Sequence, residues 1–350
     1  MDKAIGNALV SVIMPIYKTE EFVEGAILSV INQTYDNIEL ICIDDGTPDK
    51  AFDICRSMSL KHEGIVLLQN ELHTVNGEQT RNHGLEYTRN HGLSVAKGKY
   101  IMYLDSDDTL APDTVERLVE VAEREHTEIV MFTYATVRDG KETPVICERM
   151  SEGVYSTAEL CGHIFADIGY SVMSCVGSKM YSAKFISDNQ IRFDKKYKYN
   201  EDAGFVLTCL GYSPKIYYMN EPFYKYFIRS SGSIMSSYRP HQISSLIETR
   251  RLLKGVLIEN GVWEDNESRY YRSVSDLLVM CITNTFDHAS KAEYYQAFDE
   301  ITACGECREL EKRADINSGR SFTARLILSL ILKNKKRTLY GVLRIRKCLK

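Results

Sequence analysis

The sequence contains no run of about 18 apolar residues, the length that spans a bilayer. Its C-terminal segment Leu326–Leu332 extends for only seven residues. There is no N-terminal charged region followed by an apolar stretch and a cleavage site, so secretion is not expected. No Gly-x-Gly-x-x-Gly follows a strand-like segment, which counts against a dehydrogenase. The turn Pro15-Ile-Tyr-Lys-Thr-Glu20 has no glycine, whereas a nucleotidyltransferase would usually place a Gly-rich basic loop there to hold a triphosphate. Positive charge is not in excess: the net charge is -5, with no global basic field for nucleic acid. Ten cysteines in 350 residues are too sparse and irregular for a disulfide framework and read as mostly buried thiols of a reducing compartment. The one close pair, Cys304-Gly-Glu-Cys307, has no two further ligands at zinc spacing. A cytoplasmic protein is expected.

What is present is ordinary globular composition, 44% hydrophobic and 26% charged, with a clear alternation of patterns. Leu9–Ile16, Ile38–Ile43, Gly64–Leu68, Tyr100–Leu104 and Thr127–Tyr134 read as strands. Between them, Glu20–Asn32, Ala51–Leu60, part of Arg81–Ala96 and the segment from Pro112 to Glu125 carry helical spacing. Alternation of this kind predicts an α/β fold with a mainly parallel, mixed sheet flanked by helices. Beyond about residue 140 the alternation ends, and after Ser237 the pattern is mostly helical. Two regions are therefore expected, 1–235 and a helical 236–350. Thr80-Arg-Asn-His-Gly-Leu85 recurs as Thr88-Arg-Asn-His-Gly-Leu93, a period too short for a solenoid and read as a local tandem duplication.

Acid is concentrated at strand ends. Tyr100–Leu104 runs into Asp105-Ser-Asp-Asp108, and Ile38–Ile43 runs into Asp44-Asp45-Gly46. In such sheets ligands bind beyond the carboxyl ends of the strands, so these acids and Pro15–Tyr17 converge on one crevice. Crowded carboxylates attract a hard divalent cation with oxygen ligands, and a cation there suits a diphosphate. Plainer roles exist for each group: Asp107 or Asp108 capping a helix, Asp44–Gly46 forming a turn, Tyr17 packing at a strand end, and Glu201-Asp202 as the acidic first turn of a helix.

Taken in order, Val10-Ser-Val-Ile-Met-Pro-Ile-Tyr17, Asn32-Gln-Thr34, Asp44-Asp-Gly-Thr-Pro-Asp49, Arg89-Asn-His-Gly-Leu-Ser-Val-Ala-Lys-Gly98 with Tyr100–Asp108, and Glu201-Asp202 resemble the family 2 glycosyltransferases, inverting enzymes of GT-A fold. The resemblance covers roughly residues 8 to 235. It implies a nucleotide-sugar donor, most often a UDP-sugar, with Mg2+ or Mn2+. It assigns Pro15, Tyr17 and one of Asp44 or Asp45 to the nucleoside. It places Asp105 and Asp107 at the outer positions of an Asp-x-Asp motif that holds ribose and metal, with Ser106 in the same donor set and Asp108 in support of the metal. It makes Asp202 the catalytic base, with Glu201 beside it orienting the acceptor or the loop. Arg81 and Arg89 both match the arginine that reaches the nucleotide; spacing to the acidic motif favours Arg89, and spacing from Asn76-Gly77 favours Arg81. Arg229 and Ser231–Ser233 resemble a loop that closes over the donor in some members.

An inverting transfer needs one carboxylate opposite the leaving group to take the acceptor's proton, and a metal-bound diphosphate leaves without a second acid. The expected activity is therefore a metal-dependent hexosyltransferase of surface polysaccharide or glycolipid synthesis. The rival readings are a nucleotidyltransferase and a non-catalytic binding or assembly protein that kept the fold. Gly319–Lys350 holds ten Lys or Arg and no acid. It reads either as a solvated face or as a helix lying on the anionic inner face of the plasma membrane, which would suit a lipid-linked acceptor.

Overall fold

Val10–Ile16 (β1) is buried at every position, as a strand covered on both faces of a parallel sheet requires. It pairs in parallel with Ile38–Asp44 (β2) on one side and with Tyr100–Tyr103 (β6) on the other. Pro15 is tolerated in this central strand because pairing with β6 ends at Ile13 opposite Tyr103, so the missing N–H falls beyond that ladder. The computed structural model describes residues 7–75, 77–148, 150–163, 173–229, 242–313 and 320–348. Contacts divide the chain into two compact units, Met1–Lys195 with Glu201–Ile228, and Lys196–Asn200 with Arg229–Lys350. The division expected between 235 and 236 lies outside the described residues, as do Ser231–Ser233.

In the first unit the order continues with α1 (Val23–Ile31), α2 (Ala51–Ser59), β3 (Ile65–Gln69), β4 (His73–Val75), β5 (Glu78–Thr80) and α3 (Leu85–Val95). After β6 come β7 (Thr109–Leu110), α4 (Thr114–Glu125), β8 (Ile129–Met131), β9 (Tyr134–Arg138), β10 (Lys141–Val145), β11 (Gly153–Tyr155) and α5 (Thr157–His163). The remainder is β12 (Lys179–Ser182), α6 (Ala183–Asp188), α7 (Glu201–Gly211), β13 (Ile216–Tyr218) and β14 (Tyr224–Phe227). The main sheet has the order β11-β13-β8-β12-β6-β1-β2-β3. It is mixed because β12 runs antiparallel to both β6 and β8. The single strand expected over Thr127–Tyr134 is two: β8 ends at Met131, and β9 belongs to a second sheet, β10-β9-β14-β7. The break is where Phe132 N bonds Ser178 O and Thr133 N bonds Glu221 O, 3.0 Å each, drawing the chain from one sheet to the other.

Helix α3 lies close against the sheet. A Cβ on Gly92 would stand 2.6 Å from Ile13 Cγ2 and 2.9 Å from Ile43 Cδ1, so only glycine permits this approach.

The second unit is helical: α8 (Gln242–Glu259), α9 (Trp263–His288), α10 (Lys291–Ala303), α11 (Gly305–Glu311), α12 (Phe322–Leu332) and α13 (Lys336–Cys348). Ser290 and Glu293 form a capping box on α10, with bonds of 3.3 and 2.8 Å. Cys304 and Cys307 hold no metal geometry; Cys304 Sγ accepts from Cys307 N at 3.4 Å and caps α11. The described cysteines are all unpaired and most are buried. No described helix is long and apolar enough to cross a membrane. Five of the apolar side chains of the basic tail are taken up inside this unit: Ile327, Leu328, Ile331, Leu339 and Leu343 are buried.

Candidate active site

The site is built at the carboxyl ends of β1, β2 and β6 with the start of α7. Its centre is Arg89 on α3, 1% exposed. Arg89 Nη2 donates to Asp105 Oδ1 at 2.9 Å, and Nη1 donates to Asp202 Oδ1. Glu201 Oε1 lies 4.0 Å from Nη1, and the Phe193 ring lies 5.4 Å from the guanidinium carbon. Burial works against the Arg89 charge, but Asp202, Asp105 and Glu201 more than offset it and raise the pKa above the ordinary value. Nε of Arg89 has no partner.

Asp202 and Glu201 begin α7, so the plainer reading as an acidic helix start is also true. Asp202 Oδ2 accepts from Val176 N at 3.3 Å. Desolvation raises its pKa; Arg89 acts in the opposite sense and Asp105 in the same sense. Glu201 is pushed up to about 7, first by burial and then by the Asp202 charge. A second buried cation stands in the same region: Lys179 on β12, whose Nζ donates to Cys175 O at 2.6 Å. Burial lowers its pKa to about 8, against the pull of the Cys175 thiol and of Asp202.

The acidic motif separates into different jobs. Asp108 is 1% exposed; Oδ2 accepts from Tyr224 OH at 2.7 Å and Oδ1 from Phe227 N at 2.9 Å. Burial first, then Asp107 and Asp105, push it up to about 8. Ser106 is buried and shares a 2.9 Å hydrogen bond with Thr19 Oγ1, tying the motif to the loop after β1. Asp105 and Asp107 are half-buried.

At the β2 end, Asp45 Oδ1 accepts from Asn70 Nδ2 and His83 N, both 2.8 Å, and Oδ2 from Gly84 N at 3.2 Å. Asp44 accepts from Thr47 N and from Gln69 Nε2, both 2.8 Å, so the chain bend at this strand end is closed by the Asp44 side chain. Gly46 takes φ +71°, and a Cβ there would meet Asn82 N at 2.9 Å. Tyr17 is 40% exposed, with Lys18 Nζ 5.2 Å from its ring centre; it does not pack away into the core as its plainer reading had it. Pro15 is buried within β1. Arg81 belongs to the loop against Gly46, and its Nη1 donates to Asn70 O at 2.5 Å.

Residues 11–160 match the family described as glycosyl transferase family 2. Over that segment the chain is of the family 2 type. It is 27% identical over 274 residues to glycosyltransferase GlyA of Streptococcus pneumoniae, covering 77% of this chain and 37% of that protein. It is 25% identical over 230 residues to a poly(ribitol-phosphate) beta-glucosyltransferase of Bacillus spizizenii, covering 65% of this chain and 33% of that one. The chain thus spans only about a third of the length of these two relatives. Its fold resembles that of S. aureus TarS 1-349, crystallised with UDP-GlcNAc, with TM-score 0.65 and 15% identity over 98% of this chain and 92% of that one. The fold is accordingly the GT-A type, a large mostly parallel sheet with flanking helices and a helical C-terminal region.

Among the described residues, no group of three or more His, Cys, Asp or Glu stands ready to cage a metal. Asp108 is less open to the supporting role expected of it than its neighbours, since it is buried and each of its oxygens accepts a hydrogen bond from β14. Asp105 and Asp107 do suit a cation: both are partly exposed hard oxygen donors, and Asp105 engages Arg89 through Oδ1. Mg2+ is commonly held by one or two carboxylates plus substrate phosphates rather than by an all-protein cage. Asn70, Lys179, Tyr224 and the Phe227 N–H escaped the sequence reading. Asn70 had one visible signal, an amide directly after a strand.

Proposed function

We propose that the chain moves a sugar from a nucleotide-sugar, a UDP-sugar, to an acceptor hydroxyl with inversion at the anomeric carbon, in surface polysaccharide or glycolipid synthesis. The observation that carries this reading is the Arg89 clamp. One buried guanidinium bonds both Asp202, suited to take a proton, and Asp105, suited to face the donor. The UDP-GlcNAc bound to the structural neighbour supports a UDP-linked donor, and the poly(ribitol-phosphate) named in a relative supports a wall-polymer acceptor.

Tyr17 offers an exposed ring to the base. Asp44 is the better of the two aspartates to accept the uracil imide hydrogen. Asp45 is closed by three donors, two of them backbone N–H groups, whereas one of the two Asp44 partners is the Gln69 side chain. Of the two arginines Arg81, at the same strand end, is the better candidate to reach the nucleotide, because three carboxylates surround Arg89. Mg2+ or Mn2+ at Asp105 and Asp107 would neutralise the charge of the departing diphosphate. The acceptor O–H gives its proton to the Asp202 carboxylate as its oxygen bonds to the anomeric carbon. The bond from that carbon to the diphosphate oxygen breaks, and the electron pair leaves with the diphosphate. Desolvation brings the Asp202 pKa upward, nearer to what a general base at neutral pH needs.

The test is Asp202→Asn. UDP binding, measured by calorimetry with Mn2+, is expected to persist. Transfer, and the slow hydrolysis of a nucleotide-sugar that needs no known acceptor, are expected to be lost. Normal transfer by Asp202→Asn would put the base elsewhere, and absence of UDP binding by the wild type would leave a non-catalytic fold.

A further inference from the structure

The last 32 residues hold ten Lys or Arg and no acid. A membrane-surface helix needs a free apolar face beside its charge, and here that face is taken. Ile327, Leu328, Ile331, Leu339 and Leu343 are at most 2% exposed. Only Phe322 on α12 and Ile345 on α13 stand out as large exposed apolar side chains of this segment. What remains at the surface is charge. Arg320 is paired with Asp276 and Lys336 with Asp299, the latter at 2.8 Å. Arg325, Lys333, Lys335, Arg337 and Arg344 are exposed and make no ion pair among the described residues. Three of these five fall within Lys333-Asn-Lys-Lys-Arg337, the corner between α12 and α13. The corner is built rather than loose: Asn334 takes φ +51°, and Lys335 N bonds Leu330 O at 2.8 Å. Among the described residues only Lys336 of this corner has an acidic partner, Asp299; the other three cations repel one another, and an external polyanion would relieve that repulsion.

We propose that this corner binds a linear polymer of repeating phosphodiesters, and that the acceptor of the transferase belongs to that class. The second clause rests on the reading of the active site given above; the first does not. A linear polyanion needs nothing but charge, because binding releases its condensed counter-ions. Stable attachment to a bilayer couples charge with apolar insertion, and among the described residues only Phe322 and Ile345 stand out to supply it, on two different helices. Phosphate suits Lys as a point charge and Arg as a fork.

The full chain is titrated with inorganic polyphosphate over a salt series, alongside the triple variant Lys333→Gln, Lys335→Gln, Arg337→Gln. These three side chains are exposed and unpaired, so folding is not at stake, and circular dichroism checks this. The variant is expected to bind at least about tenfold more weakly, with a salt slope smaller by roughly 2 for three lost contacts at about 0.7 each. Equal binding by variant and wild type overturns the proposal. So does binding to vesicles of phosphatidylglycerol and phosphatidylcholine with none to polyphosphate, which would assign the corner to a membrane. No donor or turnover enters this measurement, so an error about the transfer chemistry cannot be mistaken for a failure of the corner.

Discussion

Replacing Arg89 by methionine keeps the side chain's length and removes the charge that three carboxylates share. Two charge-assisted bonds are lost, to Asp105 and to Asp202, together with the 4.0 Å approach of Glu201. The Asp105 side chain is 42% exposed, so solvent screening leaves its bond worth no more than about 1 kcal/mol. The Asp202 side chain is 30% exposed and its partner 1%, so that bond is worth about 1.5–3 kcal/mol. The sum, about 2–4 kcal/mol, is an upper range, because the stranded carboxylates can take up protons instead. That escape defines the assay. Urea unfolding at about pH 8 should show most of the loss, and at about pH 6 a smaller one, since Glu201, already raised to about 7, takes up a proton there and the loss of Arg89 moves Asp202 in the same direction. A double-mutant cycle with Asp202→Asn should return a coupling of about 1–3 kcal/mol. In transfer assays the acid limb of the pH profile should move upward in Arg89→Met, because the Asp202 pKa is no longer held down by the guanidinium. Arg81→Met should leave that limb in place and weaken nucleotide binding. Equal stability of Arg89→Met and wild type at both pH values, or an acid limb that moves in Arg81→Met instead, would refute the assignment of Arg89 as the clamp.

Other consequences follow from the same geometry. Asp44→Asn is expected to weaken UDP binding by about 1–2 kcal/mol with little change in melting temperature, whereas Asp45→Asn, which loses acceptor capacity toward His83 N and Gly84 N, should lower stability by about 1–3 kcal/mol; the reverse pattern would exchange their roles. Glu201 has its pKa raised to about 7, so the folded state binds the extra proton, and this group's contribution to stability falls as pH rises from the ordinary carboxylate range to about 7. Glu201→Gln should flatten that part of the profile, by on the order of 1–3 kcal/mol, and an unchanged slope would count against the burial of Glu201. Asp108→Asn keeps an acceptor for Phe227 N and a donor for the Tyr224 oxygen, so Mn2+ dependence should survive in it and fail in Asp107→Asn; loss of metal response in Asp108→Asn alone would return it to the ligand set.

The first sheet was legible because its strands are buried on both faces. β1 is apolar but for Ser11 and buried throughout, and strands of that kind need no knowledge of their neighbours to be recognised. The acids were legible for the complementary reason: Asp44, Asp45, Asp105 and Asp107 follow such strands directly, where topology places ligands. The second sheet was not legible. β10 is exposed at nearly every position and β14 pairs in parallel with β9 across about ninety residues, so no local pattern announces either. Its consequence for the site was equally hidden: Asp108 looks like its neighbours in sequence, yet β14 claims both its oxygens. Lys179 shows the same limit, since a lysine between Ser178 and Met180 carries no sign that it is fully buried.

The duplicated hexapeptide is where sequence had least to say, and the physical reason is specific. The same six residues occur as a loop at 80–85 and within a helix at 88–93, so their own propensities decide nothing. Contacts decide it. In the first copy His83 N and Gly84 N are drawn to the Asp45 carboxylate, and Gly84 takes φ +96°, a conformation that ends any helix begun upstream. In the second copy Gly92 sits against Ile13 and Ile43, Asn90 exchanges two bonds with the Phe193 backbone at 2.8 and 2.9 Å, and Arg89 finds its carboxylates. The two arginines thus diverge in role from identical surroundings in sequence. Asn70 joins the copies: its carbonyl accepts from Arg81, while its side chain bonds Thr88 and lies 2.9 Å from His91 Nδ1. The repeated segment is thus held by the buried Asn70 amide together with the Asp45 carboxylate. That is how an extra eight-residue copy is accommodated between β3 and α3 with Arg89 still seated between Asp105 and Asp202.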